Sequence, residues 1–78
     1  MKDNNSQENP EEFFEELIIK FTKAIEMNPD DEVSYCNRGS VKFRSQDLKG
    51  AIDDWELGVK LGCEISAGFL EKYKHTNS

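Results

Sequence analysis

The chain has 78 residues, with sixteen Asp and Glu against ten Lys and Arg, one histidine, two cysteines and a net charge of −6. Its length fits one domain whose core supplies only about 3–5 kcal/mol, and its acidity disfavours nucleic acid or an anionic membrane as partner. Cys36 and Cys63 lack Cys-x-x-Cys spacing and His75 stands alone near the end, so neither a zinc site nor a disulfide scaffold is expected, and the thiols should be reduced.

Met1 to Asn9 contain no apolar signal core and no later stretch has the length of a membrane span, which points to the cytoplasm. Residues 1–9 are expected to form a disordered tail before one helical domain over 10–75. Asn9 can cap the first helix, with Pro10 at its first position and Glu12 closing an Asn-x-x-Glu box. Phe14, Leu17, Ile18, Phe21 and Ile25 then carry helical spacing to Asn28, before Pro29. Asp30 and Asp31 offer the next cap, and Val33, Tyr35, Cys36, Gly39, Val41 and Phe43 ride a second helix to Ser45.

Gln46 and Asp47 turn the chain, Asp47 caps, and Leu48, Ala51, Ile52, Trp55, Val59 and Leu61 make a third helix that ends at Gly62. A fourth, from Glu64 to Lys74, places Ile65, Phe69, Leu70 and Tyr73 on one side. Acids gather at the helix starts and bases at the ends, as the helix dipole favours, with Lys49 the exception. Glu16 with Lys20 and Glu56 with Lys60 are expected pairs four apart, each stabilising by about 0.2–0.5 kcal/mol. No strand pattern competes.

One pattern recurs at an offset of 34 residues: Leu17, Phe21, Ala24, Ile25, Met27 and Pro29 return as Ala51, Trp55, Gly58, Val59, Leu61 and Cys63. Phe14 likewise pairs with Leu48, Ile18 with Ile52, Tyr35 with Phe69 and Arg38 with Lys72. Size and polarity repeat more than identity does. A period of this length belongs to stacked helical hairpins, which serve as recognition surfaces.

Residues 32–65 make one complete unit of helix, turn and helix, and this unit resembles the tetratricopeptide repeat. Tyr35, Gly39, Ala51 and Trp55 stand where that family has its aromatic and small residues, and Ala24 to Pro29 reads like its usual exit from a second helix. Gly39 would let the second helix approach the third closely at Ala51, leaving room for Tyr35, Phe43 and Trp55 to interleave. Arg38 in place of leucine, Lys42 in place of tyrosine and Cys63 in place of proline depart from the family pattern. The resemblance implies an all-α fold of antiparallel hairpins, about four helices in a right-handed superhelix. It also implies that the first helix has lost its hairpin partner and that the fourth is a cap, with Glu64, Ser66, Glu71, Lys72 and Lys74 outward.

In that family the first helix of each unit lines a groove for an extended peptide or a partner's helix. Carried over, the groove face is Val33, Cys36, Asn37, Ser40, Phe43 and Arg44, joined by Leu70 and Lys74. Asn37 would bond a backbone, Arg44 a carboxylate, and Phe43 would anchor apolar atoms. The family's carboxylate clamp is not expected, because Cys36 and Ser40 occupy two of its positions and only Asn37 fits. Phe13 and Ile19 lie off the main stripe of the first helix and mark a second surface, for homodimer formation.

Two functions stay open: an adaptor binding a protein partner or peptide, and a purely structural homo-oligomerisation unit. An enzyme is not expected, since the chain has no second histidine, no nucleophile with a nearby base, and no phosphate or calcium loop. Asp53 and Asp54 are adjacent on a helix and read as a solvated face. An acyl carrier protein would match the size and acidity, but its Asp-Ser-Leu attachment motif does not occur. No cofactor or metal is expected.

Overall fold

The computed structural model describes residues 10–74, which form α1 (Pro10–Met27), α2 (Glu32–Arg44), α3 (Leu48–Lys60) and α4 (Glu64–Tyr73), with no strand among them. The expected tail, the Asn9 cap and His75 lie outside the described residues. Each helix packs against the next in the chain. With connections this short, consecutive helices run antiparallel, so the fold is an all-α set of helical hairpins.

Side chains set the helix starts. The Ser34 backbone N–H and hydroxyl donate to the Asp31 carboxylate at 3.3 and 2.7 Å, and the Gly50 N–H donates to Asp47 Oδ1 at 2.9 Å. The two backbone bonds satisfy N–H groups that the first turn would leave unpaired. Helices α2 and α3 then end alike. Asp47 N–H reaches back to the Lys42 carbonyl and Gln46 N–H to Phe43, while Cys63 N–H reaches Gly58 and Gly62 N–H reaches Val59. These are paired Schellman closures, whose pivot residue must take a left-handed backbone. Gly62 does so without a side chain to clash, at φ 104°, whereas Gln46 does so at φ 73° with one.

The core sits where α2 crosses α3. A methyl group added to Gly39 would come within 2.6 Å of the Trp55 ring and 3.1 Å of the Ala51 carbonyl oxygen, so the close approach expected there is real. Ala51 and Trp55 are fully enclosed. Phe43, Trp55, Phe69 and Tyr73 make one aromatic cluster across α2, α3 and α4, with Phe43 to Tyr73 and Trp55 to Phe69 at 4.5 and 4.8 Å between ring centres. Ring pairs at such distances add about 0.5–1.5 kcal/mol beyond burial.

Three expectations need correcting. Tyr35 does not join the aromatic cluster; its ring lies under the Arg38 guanidinium, 5.7 Å away. Ser66 does not cover the outside of α4 but is wholly buried against Gly58, whose missing Cβ makes the room. Glu56 turns to Lys74, the residue that follows α4, at 2.7 Å, instead of pairing with Lys60 along its own helix.

Candidate partner-binding groove

Helix α1 presents two adjacent stripes. Phe14, Ile18, Phe21 and Ile25 form the inner one, all partly buried. Beside it, Phe13, Leu17, Lys20, Ala24 and Met27 repeat at spacings of four and three, the interval of a helix that meets a further helix. Phe13 is 57% and Met27 87% exposed, so this second stripe lacks a cover among the described residues.

Between α1 and α2 this leaves an open cleft of about 280 Å³, lined by Phe13, Phe14, Leu17 and Phe21 from α1 and by Asn37, Ser40, Val41 and Arg44 from α2. Its floor is aromatic and aliphatic. Its rim carries one amide, one hydroxyl and one guanidinium, and no acid lines it. Arg44 makes no ion pair among the described residues. Apolar bodies with a few convergent polar groups are the usual build of a recognition site.

The groove gathers some of the expected residues and scatters others. Asn37, Ser40 and Arg44 line one cleft, where they meet Phe13, which the sequence had placed on a separate surface. Ile19 is 54% exposed and lies about 120° around the helix from Phe13, so α1 is apolar on more than one side. Val33 is exposed on the first turn of α2, outside the lining. Leu70 lines a different cleft, between α3 and α4, with Leu57, Val59 and Lys60. Cys36 is buried, and the Phe43 ring is packed on Trp55 and Tyr73. Lys74 pairs with Glu56.

Below the groove lies an ionic centre that sequence reading missed. Arg38 grips Asp54 through two parallel bonds of 2.8 Å, from Nε and from a terminal nitrogen, and its remaining terminal nitrogen donates to Thr22 Oγ1 at 3.1 Å. Lys42 Nζ approaches the same carboxylate at 3.1 Å. Asp54 is 2% exposed, so only its neighbour Asp53 belongs to a solvated face. Hydrogen bonding to Asp54, opposed by partial burial, holds the Arg38 guanidinium above its usual range. Arg38 and Lys42 are the two departures from the family pattern within one helix. Read as a pair one turn apart, they would have called for a buried acid opposite. The centre ties α1, α2 and α3 together.

The molecule thus belongs among all-α proteins built of antiparallel helical hairpins, with an open apolar groove between its first two helices. Compared with known proteins, it is similar to Hsc70-interacting protein 1 and Hsc70-interacting protein 2 of Drosophila melanogaster, 29% identical to each over 56 residues. The match covers 72% of this chain but 15% of either relative, so the chain corresponds to a small part of those proteins. No family model matches the chain, and no solved structure matches it.

Proposed function

We propose that the chain is a tetratricopeptide-like interaction module whose α1–α2 groove receives a helix or peptide from a protein partner. The observation that carries this reading is the groove itself, where an aromatic and aliphatic floor with Phe13 exposed meets the Arg44 guanidinium, which has no ion pair among the described residues. Arg44 selects a partner with a carboxylate at that end, since a buried charge-assisted pair contributes more than a neutral bond. Asn37 and Ser40 serve backbone or side-chain polar groups. The relatives are named for an interaction with Hsc70, which supports a protein as the class of partner. By this reading the chain is no enzyme, and its partner is met in the cytoplasm.

A second reading has its own support in the spacing of Phe13, Leu17, Lys20, Ala24 and Met27, which suits a helix–helix seam. A second copy of the chain supplies such a helix in α1, and the groove then works as a homodimer interface. Because Phe13 and Arg44 line one groove, substituting either disturbs both functions, and oligomeric state decides between them. Sedimentation over a concentration series is the test: monomer throughout, with a partner captured through the groove, supports the adaptor, while a reversible dimer that Leu17→Asp dissolves supports the structural unit.

A further inference from the structure

We propose that the helix received by the α1–α2 groove belongs to another chain, runs parallel to α2, and brings to Lys20 two acids one turn apart, the first directly followed by a small residue. This rests on the adaptor reading and adds the partner's charge, register and direction. The fold carries a template for the occupant. At the 34-residue offset α1 corresponds to α3 and α2 to α4, and the helix seated on α3 with a ring against α4 is α2 itself. The groove is thus the counterpart of the site that α2 fills.

What α2 presents to α3 defines the fit. Gly39 approaches Ala51 and Trp55, while Arg38 and Lys42, one turn apart, close on Asp54. At the same offset Ala51 corresponds to Leu17, Trp55 to Phe21 and Asp54 to Lys20. Leu17 and Phe21 line the groove, and Lys20 is exposed and makes no ion pair among the described residues. The charge is therefore inverted at one position: α3 offers an acid to two cations, and α1 offers a cation. A helix in the register of α2 must carry acids where α2 has Arg38 and Lys42, or it covers the Lys20 ammonium without a partner. In place of Gly39 it must stay small, since Leu17 is larger than the Ala51 it stands for.

Arg44 sets the direction. It closes α2 and, across the antiparallel pair, lies at the Phe13 end of the groove. A helix parallel to α2 brings its last turn there, where free carbonyl oxygens and the negative end of the helix dipole meet a guanidinium. The reverse direction would bring N–H groups to it. A second copy does not supply the pattern: no Asp or Glu of the 78 residues is followed directly by Gly, Ala, Ser, Thr or Cys, so acid-small-x-x-acid does not occur.

The experiment uses two synthetic peptides that copy residues 30–46 with Cys36→Ala, one otherwise native and one also carrying Arg38→Glu and Lys42→Glu. Each is titrated into the intact chain at about 0.15 M salt and followed by calorimetry and amide NMR shifts. The cost of ordering a free helix is common to both, so the ratio of affinities reports the charges. The long-range field opposes the expected result, because a chain of net charge −6 repels the acidic peptide. That peptide should nevertheless bind at least about tenfold more tightly than the native one, with shifts centred on Leu17, Lys20 and Phe21. Lys20→Glu in the chain should reverse the order, with an unchanged thermal midpoint showing that the variant is folded. The proposal is overturned by equal or tighter binding of the native peptide, by a preference that survives Lys20→Glu, by shifts centred on the α3–α4 cleft, or by binding of neither peptide at millimolar concentration. The adaptor reading fails separately, when Leu17→Asp with Arg44→Glu captures the same proteins from a lysate as the native chain does.

Discussion

At the scale of single residues, Asp54 is the most consequential side chain in the protein. It holds two cations in a site almost closed to water, and a buried ion pair deprived of one partner leaves charges that nothing else neutralises. Asp54→Ala should therefore cost about 3–5 kcal/mol in urea unfolding, enough to unfold a domain of this size. Replacing the set together, Arg38→Leu with Lys42→Tyr and Asp54→Leu, should be neutral or stabilising by about 1–4 kcal/mol, because the desolvation cost leaves with the charges. Asp31 gives a pH signature. The hydroxyl and backbone N–H of Ser34 hold its carboxyl below the usual range. Its folded value is depressed, so its contribution is fully present above the unfolded value of about 3.9 and is lost as pH falls through the folded value. Asp31→Asn keeps a capping oxygen and should flatten that acid limb of an unfolding titration followed by circular dichroism.

At the scale of elements, the turns and the crossing of α2 over α3 set stability. Gln46 holds a left-handed backbone that glycine adopts without strain, so Gln46→Gly should stabilise by about 0.5–1 kcal/mol. Gly39→Ala should do the opposite. Alanine favours a helix by about 1 kcal/mol, but its methyl group would press on the Trp55 ring and the Ala51 backbone, and overpacking of that kind costs about 1–3 kcal/mol. Thermal midpoints of the two variants should move in opposite directions.

The elements were also what the sequence disclosed best. Asp31, Asp47, Gly62 and the apolar spacing place α2, α3 and α4 to within two residues, because caps and periodicity act locally. Gly39 with Ala51 was legible for a related reason, since a helical glycine needs a close neighbour. Asp54 was not, because two adjacent acids on a helix look solvated until the opposite helix is known to bring Arg38 and Lys42. Cys36 and Phe43 were assigned to a groove by position alone; packing buries Cys36 and turns the Phe43 ring onto Tyr73, though Phe43 stays partly exposed. Leu70 and Arg44 each reached a cleft, but not the same one.

At the scale of the whole molecule, the two outer helices differ in how they are covered among the described residues. Helix α4 is sealed to its neighbours by Trp55, Phe69, Tyr73 and buried Ser66, whereas α1 keeps Phe13 exposed in the groove that Arg44 also lines. A partner's helix would complete the pattern there. Helix α4 of a second copy fits that place poorly: at the repeat offset Tyr73 stands where Gly39 does, and Lys72 would face Lys20 in place of the Arg38–Asp54 pair. Head-to-tail polymers are therefore not expected, and sedimentation should show no open-ended association.

The most direct test of the groove is capture of partners from the source organism's lysate by the native chain, Leu17→Asp with Arg44→Glu, and Ile65→Ser on exposed α4, read by mass spectrometry. The groove pair should lose the proteins that the native chain and Ile65→Ser both hold, with affinity for any purified partner reduced at least about tenfold, a loss of about 1.4 kcal/mol. Equal capture by all three, with the groove variant folded, would contradict the groove as the binding site.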